Sequence, residues 1–142
     1  MARILAIDYG KKRTGIAVSD TLQIIAGGLT TIETPELLIF LKNYFEKENV
    51  EKIVIGYPKH LDNQPANIIP DIENFAEILR KSFPQTAIDF FDERFTSKMA
   101  FQTMIDSGIG KEKRKNKALI DKISATILLE NYLEAKNYSH SI

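Results

Sequence analysis

The chain has no cysteine, which excludes disulfides, thiolate metal sites and cysteine nucleophiles together. Histidine is nearly as scarce: His60 falls in a loop-like stretch and His140 near the end, and neither is assigned a role. No apolar run approaches the ~20 residues that a membrane-spanning helix needs, so no membrane segment is expected. An excess of one charge is missing too. Lysine plus arginine and aspartate plus glutamate each number 19, and the formal net charge is zero; the sum does not describe a strongly basic nucleic-acid binder. The opening apolar stretch is too short for the core of a signal peptide and runs into Asp8, so it is expected to be the first strand of a cytoplasmic protein. What is present is core. Of 142 residues, 44% are hydrophobic, which suits one domain.

Charge is distributed unevenly although it cancels overall. From Lys111 to Lys117 the sequence reads KEKRKNK, with five basic residues against one glutamate. Lys11, Lys12, Arg13, Arg94 and Lys98 each stand near a carboxylate of interest. Such local basic patches can bind phosphates on a neutral protein; KEKRKNK alone reads equally well as a solvated turn.

Periodicity gives the order of elements. Residues 3–9 and 14–19 read as strands joined by the turn Gly10-Lys11-Lys12-Arg13, and 28–33 as a third strand. Thr34-Pro35-Glu36 has the form of a helix start, with threonine as N-cap and proline at the first helical position. Leu37, Leu38, Leu41, Tyr44 and Phe45 follow as an apolar stripe. A buried strand is predicted over 52–57, a loop over 58–66, and a helix over about 67–83, in which Pro70 is tolerated only in the first turn. Strand 86–92, a helix over 96–107 and a last helix over about 118–135 complete the chain, with a polar, frayed tail from 136 to 142. Met99 and Met104 read as core filler. The order βββ-α-β-α-β-α-α describes one layered α/β domain with a mixed sheet, an antiparallel meander joined to parallel crossovers.

Three carboxylates stand out. Asp8 ends a strand otherwise made of core residues, on the face of Ile4 and Ala6; turn chemistry would also account for it. Glu93 follows an apolar strand, where an acid before a helix is ordinary too. Asp121 lies in the first turn of the last helix, on the side of Ser124, Ala125 and Leu128, which is expected to pack inward; a first-turn acid is ordinary helix chemistry too. Together they say more. Asp8 and Glu93 both sit at strand C-termini, the edge where open α/β sheets carry their sites, and the last helix can bring Asp121 there. An all-oxygen set suits Mg²⁺ or Mn²⁺ and not zinc, and such sites hydrolyse phosphodiesters.

Four motifs in series carry a resemblance: Asp8-Tyr9-Gly10-x-x-Arg13-x-Gly15-x-Ala17-x-Ser19-Asp20; Gly56-Tyr57-Pro58; Asp92-Glu93-Arg94-Phe95-Thr96-Ser97; and Lys113-Arg114-Lys115 leading to Asp121-x-Ile123-Ser124-Ala125-Thr126-x-Leu128-Leu129. In this order, over essentially the whole chain, they resemble the YqgF/RuvX family. The resemblance implies an RNase H-like fold with sheet order 3-2-1-4-5 and strand 2 antiparallel to the rest. It implies a nuclease, acting at the 5′ end of pre-16S ribosomal RNA or as a Holliday junction resolvase on branched DNA. It also implies an acidic, metal-holding site at Asp8, Glu93 and Asp121. Nucleic acid is then expected at Lys12, Arg13, Arg94, Lys98, Lys113, Arg114, Lys115 and Lys117. Two places depart from the family pattern. Leu61-Asp62-Asn63-Gln64-Pro65 replaces a glycine turn, and Phe95 replaces a leucine; neither touches the acids.

Two other classes compete. A phosphate-binding ATPase of the actin-like or sugar-kinase type would use the same hairpin, but needs two such domains around its nucleotide. A non-catalytic nucleic-acid-binding module is the other, against which all three acids are present. No apolar interface stripe is legible, so a monomer or weak homodimer is expected.

Overall fold

The computed structural model describes residues 2–58, 68–92 and 117–140, the last with side chains from 118 to 136. Five strands form one sheet: β1 (Arg3–Asp8), β2 (Arg13–Ser19), β3 (Ala26–Glu33), β4 (Val50–Tyr57) and β5 (Ala87–Asp92). Their order is β3-β2-β1-β4-β5. β2 runs antiparallel to β1 and β3, and β4 pairs in parallel with β1 and β5. This is the order and orientation expected. Among the described residues three α-helices pack on the sheet: α1 (Leu37–Lys47), α2 (Ile68–Ser82) and α3 (Lys117–His140). The expected helix over 96–107 lies outside the described residues.

β1 explains the layering. Ile4, Leu5, Ala6 and Ile7 are all within 1% of full burial, the near-continuous apolar run of a strand covered on both faces. Leu5 and Ile7 join Ile16, Ile53 and Ile55 beneath α1 and α2, against Leu37, Leu41, Ile72 and Leu79. Ile4 and Ala6 join Ala17 and Val54 on the opposite face, beneath Ala125, Leu128, Leu129 and Leu133 of α3. Each large side chain so buried stabilises the fold by roughly 1.5–3 kcal/mol before entropy is counted. The alanines bring α3 close to the sheet.

Three local expectations change. Thr34 is not a helix N-cap. It lies in a 3-10 turn, Thr34–Glu36, and α1 begins at Leu37 without a side-chain cap, because the Thr34 hydroxyl is committed to the Gly10 carbonyl instead. The tail expected to fray from Lys136 continues α3 as far as His140. No glycine or proline interrupts Ala135 to His140, and Lys136 is anchored to Gln23 of the β2–β3 loop. An apolar patch is also present. Leu22, Ile24 and Ile25 of that loop are 58–68% exposed, at spacings that gave no stripe in the sequence.

α3 is fastened near its start and along its length. At its start the Thr31 hydroxyl donates to the Ala118 carbonyl. Further along, Lys52 donates to the Tyr132 hydroxyl (2.8 Å), which donates to Asp89 (3.2 Å), and Lys52 pairs with Asp89 at 3.2 Å. These bonds hold the Lys52 ammonium above its ordinary range, the Tyr132 hydrogen bond contributing most.

Candidate active site

The site is built on the α3 face at the C-terminal end of β1. Alternation along β1 places Asp8 on the face of Ile4 and Ala6, the face that α3 covers. Directly across the antiparallel ladder, Asp8 pairs with Gly15 of β2. A Cβ on Gly15 would lie 2.0 Å from the Asp121 carbonyl oxygen and 2.5 Å from its carbon. The backbone of α3 therefore rests on the one position of β2 without a side chain. Glycine inside a strand marks such an approach. The contact sets Asp121 beside Asp8 across the width of a single strand.

Arg13 shares that face, two residues before Gly15. Its Nε donates to Asp121 Oδ2 at 3.3 Å, with side chains 36% and 26% exposed. The pair is open to water, so it contributes little to stability. It does orient the carboxylate toward the β1–β2 hairpin. The described α3 begins at Lys117 and holds no acid in its first turn, so Asp121 lies just beyond the first turn in which the sequence places it, and complementing the helix dipole does not account for it.

The hairpin bears the basic residues. Gly10 permits a turn so tight that a Cβ there would lie 2.3 Å from the Arg13 carbonyl oxygen. Tyr9 packs on Phe75 of α2 at 5.4 Å between ring centroids. Burial, with Asp71 adding to it, pushes the Tyr9 hydroxyl above its ordinary range. Lys11 reaches Asp71 at 3.9 Å. Lys11, Lys12 and Arg13, with Glu33 and Pro35, line an open cleft of about 410 Å³.

Of the residues singled out from sequence, the structure thus brings together Asp8, Asp121, Lys12 and Arg13. Lys117 stands one helical turn ahead of Asp121. Glu93, Arg94, Lys98, Lys113, Arg114 and Lys115 lie outside the described residues. Among the described residues no group of three or more His, Cys, Asp or Glu side chains is placed to hold a metal ion. Asp8 and Asp121, placed at one sheet edge by the backbone, are oxygen donors in a chain with no cysteine, a chemistry that fits a hard divalent cation. Sequence reasoning missed the part played by Gly15, which a glycine within an apolar strand could have signalled. It also missed the Arg13–Asp121 pair and the bracing by Thr34, which no spacing announces.

Residues 2–135 match the sequence model of the RuvX family, described as Holliday junction resolvase. A protein of Phocaeicola vulgatus is 56% identical over 138 residues, covering 97% of this chain and 99% of the relative. One of Flavobacterium psychrophilum is 58% identical over 136 residues, covering 96% and 99%. Both carry the name "Putative pre-16S rRNA nuclease". Among solved structures, Thermus thermophilus RuvC in complex with a Holliday junction substrate aligns with a TM-score of 0.57 at 13% identity, covering 97% of each chain. Another structure of T. thermophilus RuvC aligns with a TM-score of 0.53 at 11% identity, covering 96% of each. At that identity the likeness concerns the fold.

Proposed function

The chain belongs to the RuvX family, a family of nucleases, and on that premise we propose that it is a metal-dependent nuclease that trims the 5′ end of pre-16S ribosomal RNA in the cytoplasm. The observation that carries this reading is the stacking of Asp8, Gly15 and Asp121. It gathers acids from β1 and α3 at one sheet edge, beside a cleft lined by Lys11, Lys12 and Arg13.

In this reading Asp8, Asp121 and Glu93, which follows β5 directly in sequence, hold Mg²⁺ or Mn²⁺. When bound, the ion supplies activated water and neutralises charge on the phosphoryl group. The chain's own residues do the rest. Arg13 keeps the Asp121 carboxylate turned toward the cleft. Lys12, Arg13 and Lys117, joined by Arg94, Lys98, Lys113, Arg114 and Lys115, hold phosphates of the substrate strand, a contact that fixes register and carries little base information. The packing of α3 on Gly15 makes the separation of the acids a property of the backbone, and so pre-organised.

RNA is preferred over branched DNA on two grounds. Relatives above 50% identity bear the ribosomal RNA name, and a net charge of zero suits a single strand led across a local groove better than a four-armed duplex. No helix among the described residues is long and apolar enough to cross a membrane. A monomer or weak homodimer serves RNA trimming, whereas paired junction cuts require two sites at fixed spacing. The test is a competition between a pre-16S 5′-end RNA and an immobile four-way DNA junction, with Mg²⁺ and Mn²⁺ in separate reactions. RNA cleavage with a slow or uncut junction is expected. Symmetric paired nicks in the junction with intact RNA would establish the resolvase reading, and binding of either without cleavage by any metal would establish a non-catalytic module.

A further inference from the structure

Thr34 stands where β3 gives way to α1, and it makes three bonds beneath the β1–β2 hairpin. Its main-chain N–H donates to the Lys12 carbonyl at 2.9 Å. Its hydroxyl donates to the Gly10 carbonyl at 2.6 Å and lies 2.9 Å from the Thr14 hydroxyl. A hydroxyl has one proton. With that of Thr34 spent on Gly10, Thr14 must be the donor to Thr34, and the chain runs from Thr14 through Thr34 to Gly10. Thr14 is fully buried, so water cannot replace the partner it would lose. Such chains strengthen each member.

We propose that Thr34 is a positioning residue for nucleic-acid binding: it clasps the hairpin segment from Gly10 to Lys12 so that Lys12 stands ready at the cleft, while Arg13 is held separately by Asp121. The inference rests on reading this hairpin as a phosphate contact. Physically, the clasp closes the hairpin from the α1 side while Lys11–Asp71 and Tyr9–Phe75 tether it from the α2 side. A basic hairpin held in place loses less freedom on binding a phosphate than a loose one, and that saving appears as affinity. Neither threonine touches the acids, since Thr14 alternates with Gly15 and lies on the opposite face of β2. The role is thus in binding and not in the chemical step.

The experiment measures anisotropy of a labelled single-stranded RNA in EDTA, which reads binding without metal or cleavage, and then turnover in Mn²⁺. Thr34→Val keeps the shape and removes both hydroxyl bonds; Thr34→Ser keeps them. Thr34→Val is expected to raise Kd about five- to tenfold, the scale of lost hydrogen bonds, with kcat within about twofold of the unsubstituted protein. Serine should restore binding. Lys12→Gln should cost less in the Thr34→Val background than alone, because the two act through one hairpin. Unchanged Kd in Thr34→Val, equal losses for valine and serine, additive losses with Lys12→Gln, or a fall in kcat at constant Kd would each overturn the proposal. If Lys12→Gln and Arg13→Gln both bind normally, the hairpin is no phosphate contact, and the reading beneath the proposal fails with it. Should Thr34→Val melt too low to assay, Thr14→Val, which removes only the upstream donor, must weaken binding in the same direction or the clasp is refuted.

Discussion

Replacing Gly15 by alanine asks whether a single missing side chain sets the site. The added Cβ would lie 2.0 Å from the Asp121 carbonyl oxygen and 3.2 Å from the Lys122 nitrogen. Both neighbours are backbone, so no rotamer change relieves the clash. To reach ordinary contact the helix must retreat by about 1.4–2.0 Å from β2, which also opens the layer of Ala17, Ala125 and Leu128 beneath it. Overpacking of this kind typically costs ~1–3 kcal/mol. A misplacement of about 1 Å in a catalytic group can cost about a hundredfold in rate, so activity is expected to fall further than stability. Thermal melts and Mn²⁺-dependent cleavage of a labelled RNA measure the two losses. Gly27→Ala is the control, since among the described residues a Cβ there meets only the Val18 carbonyl oxygen, at 3.9 Å, and it should melt and cleave normally. A Gly15→Ala protein with ordinary melting and full cleavage would show that α3 does not rest on β2, and would remove the argument that joins Asp8 to Asp121.

Asp8→Asn and Asp121→Asn should each abolish cleavage and weaken Mn²⁺ binding in calorimetry, while the fold is retained; full activity in either variant with a matched melt would sink the metal assignment. Neutralising Lys113, Arg114 and Lys115 together should weaken RNA binding evenly across sequences and lower the salt slope by about 2–3 for three lost phosphate contacts; an unchanged slope would leave the segment a solvated turn. In the β2–β3 loop, the main-chain N–H groups of Ile25 and Ile24 donate to Asp20 Oδ1 at 2.9 and 2.8 Å and hold its carboxyl below the ordinary range. The support this gives the loop is complete above the ordinary aspartate pKa of ~3.9 and is lost as pH falls through the depressed folded value. Amide exchange at Ile24 and Ile25 should therefore quicken, beyond its intrinsic pH dependence, as pH falls through that window in the unsubstituted protein and not in Asp20→Asn. Equal profiles would dismiss the bond.

The patterns that survived from sequence to structure were those that depend on neighbours along the chain. Alternation in Ile4-Leu5-Ala6-Ile7-Asp8 assigned both faces of the central strand and the face on which Asp8 lies, because side-chain direction in a strand follows from backbone geometry alone. Helical spacing found α1 and α2, and Pro70 fell in the first turn of α2, the place where a missing N–H costs nothing. Asp121 could be put on an inward face for the same reason. Thr34 went wrong because threonine before proline and glutamate has the same local chemistry in a helix cap and in a brace; only the arrival of Gly10 from an earlier hairpin decided between them. The bond from Lys136 of α3 to Gln23 likewise joins residues more than a hundred apart in sequence.

By itself, then, the sequence determined the strands, the helical faces, the donor chemistry of the acids and the family to which they belong, since all of these are written in residue type and short spacing. Tertiary structure alone decided that Asp121 comes to rest on Gly15, that Arg13 turns to it, and that Thr34 closes the hairpin. Each of these joins residues distant in the chain, through contacts that exist only once β1, β2, β3 and α3 have packed.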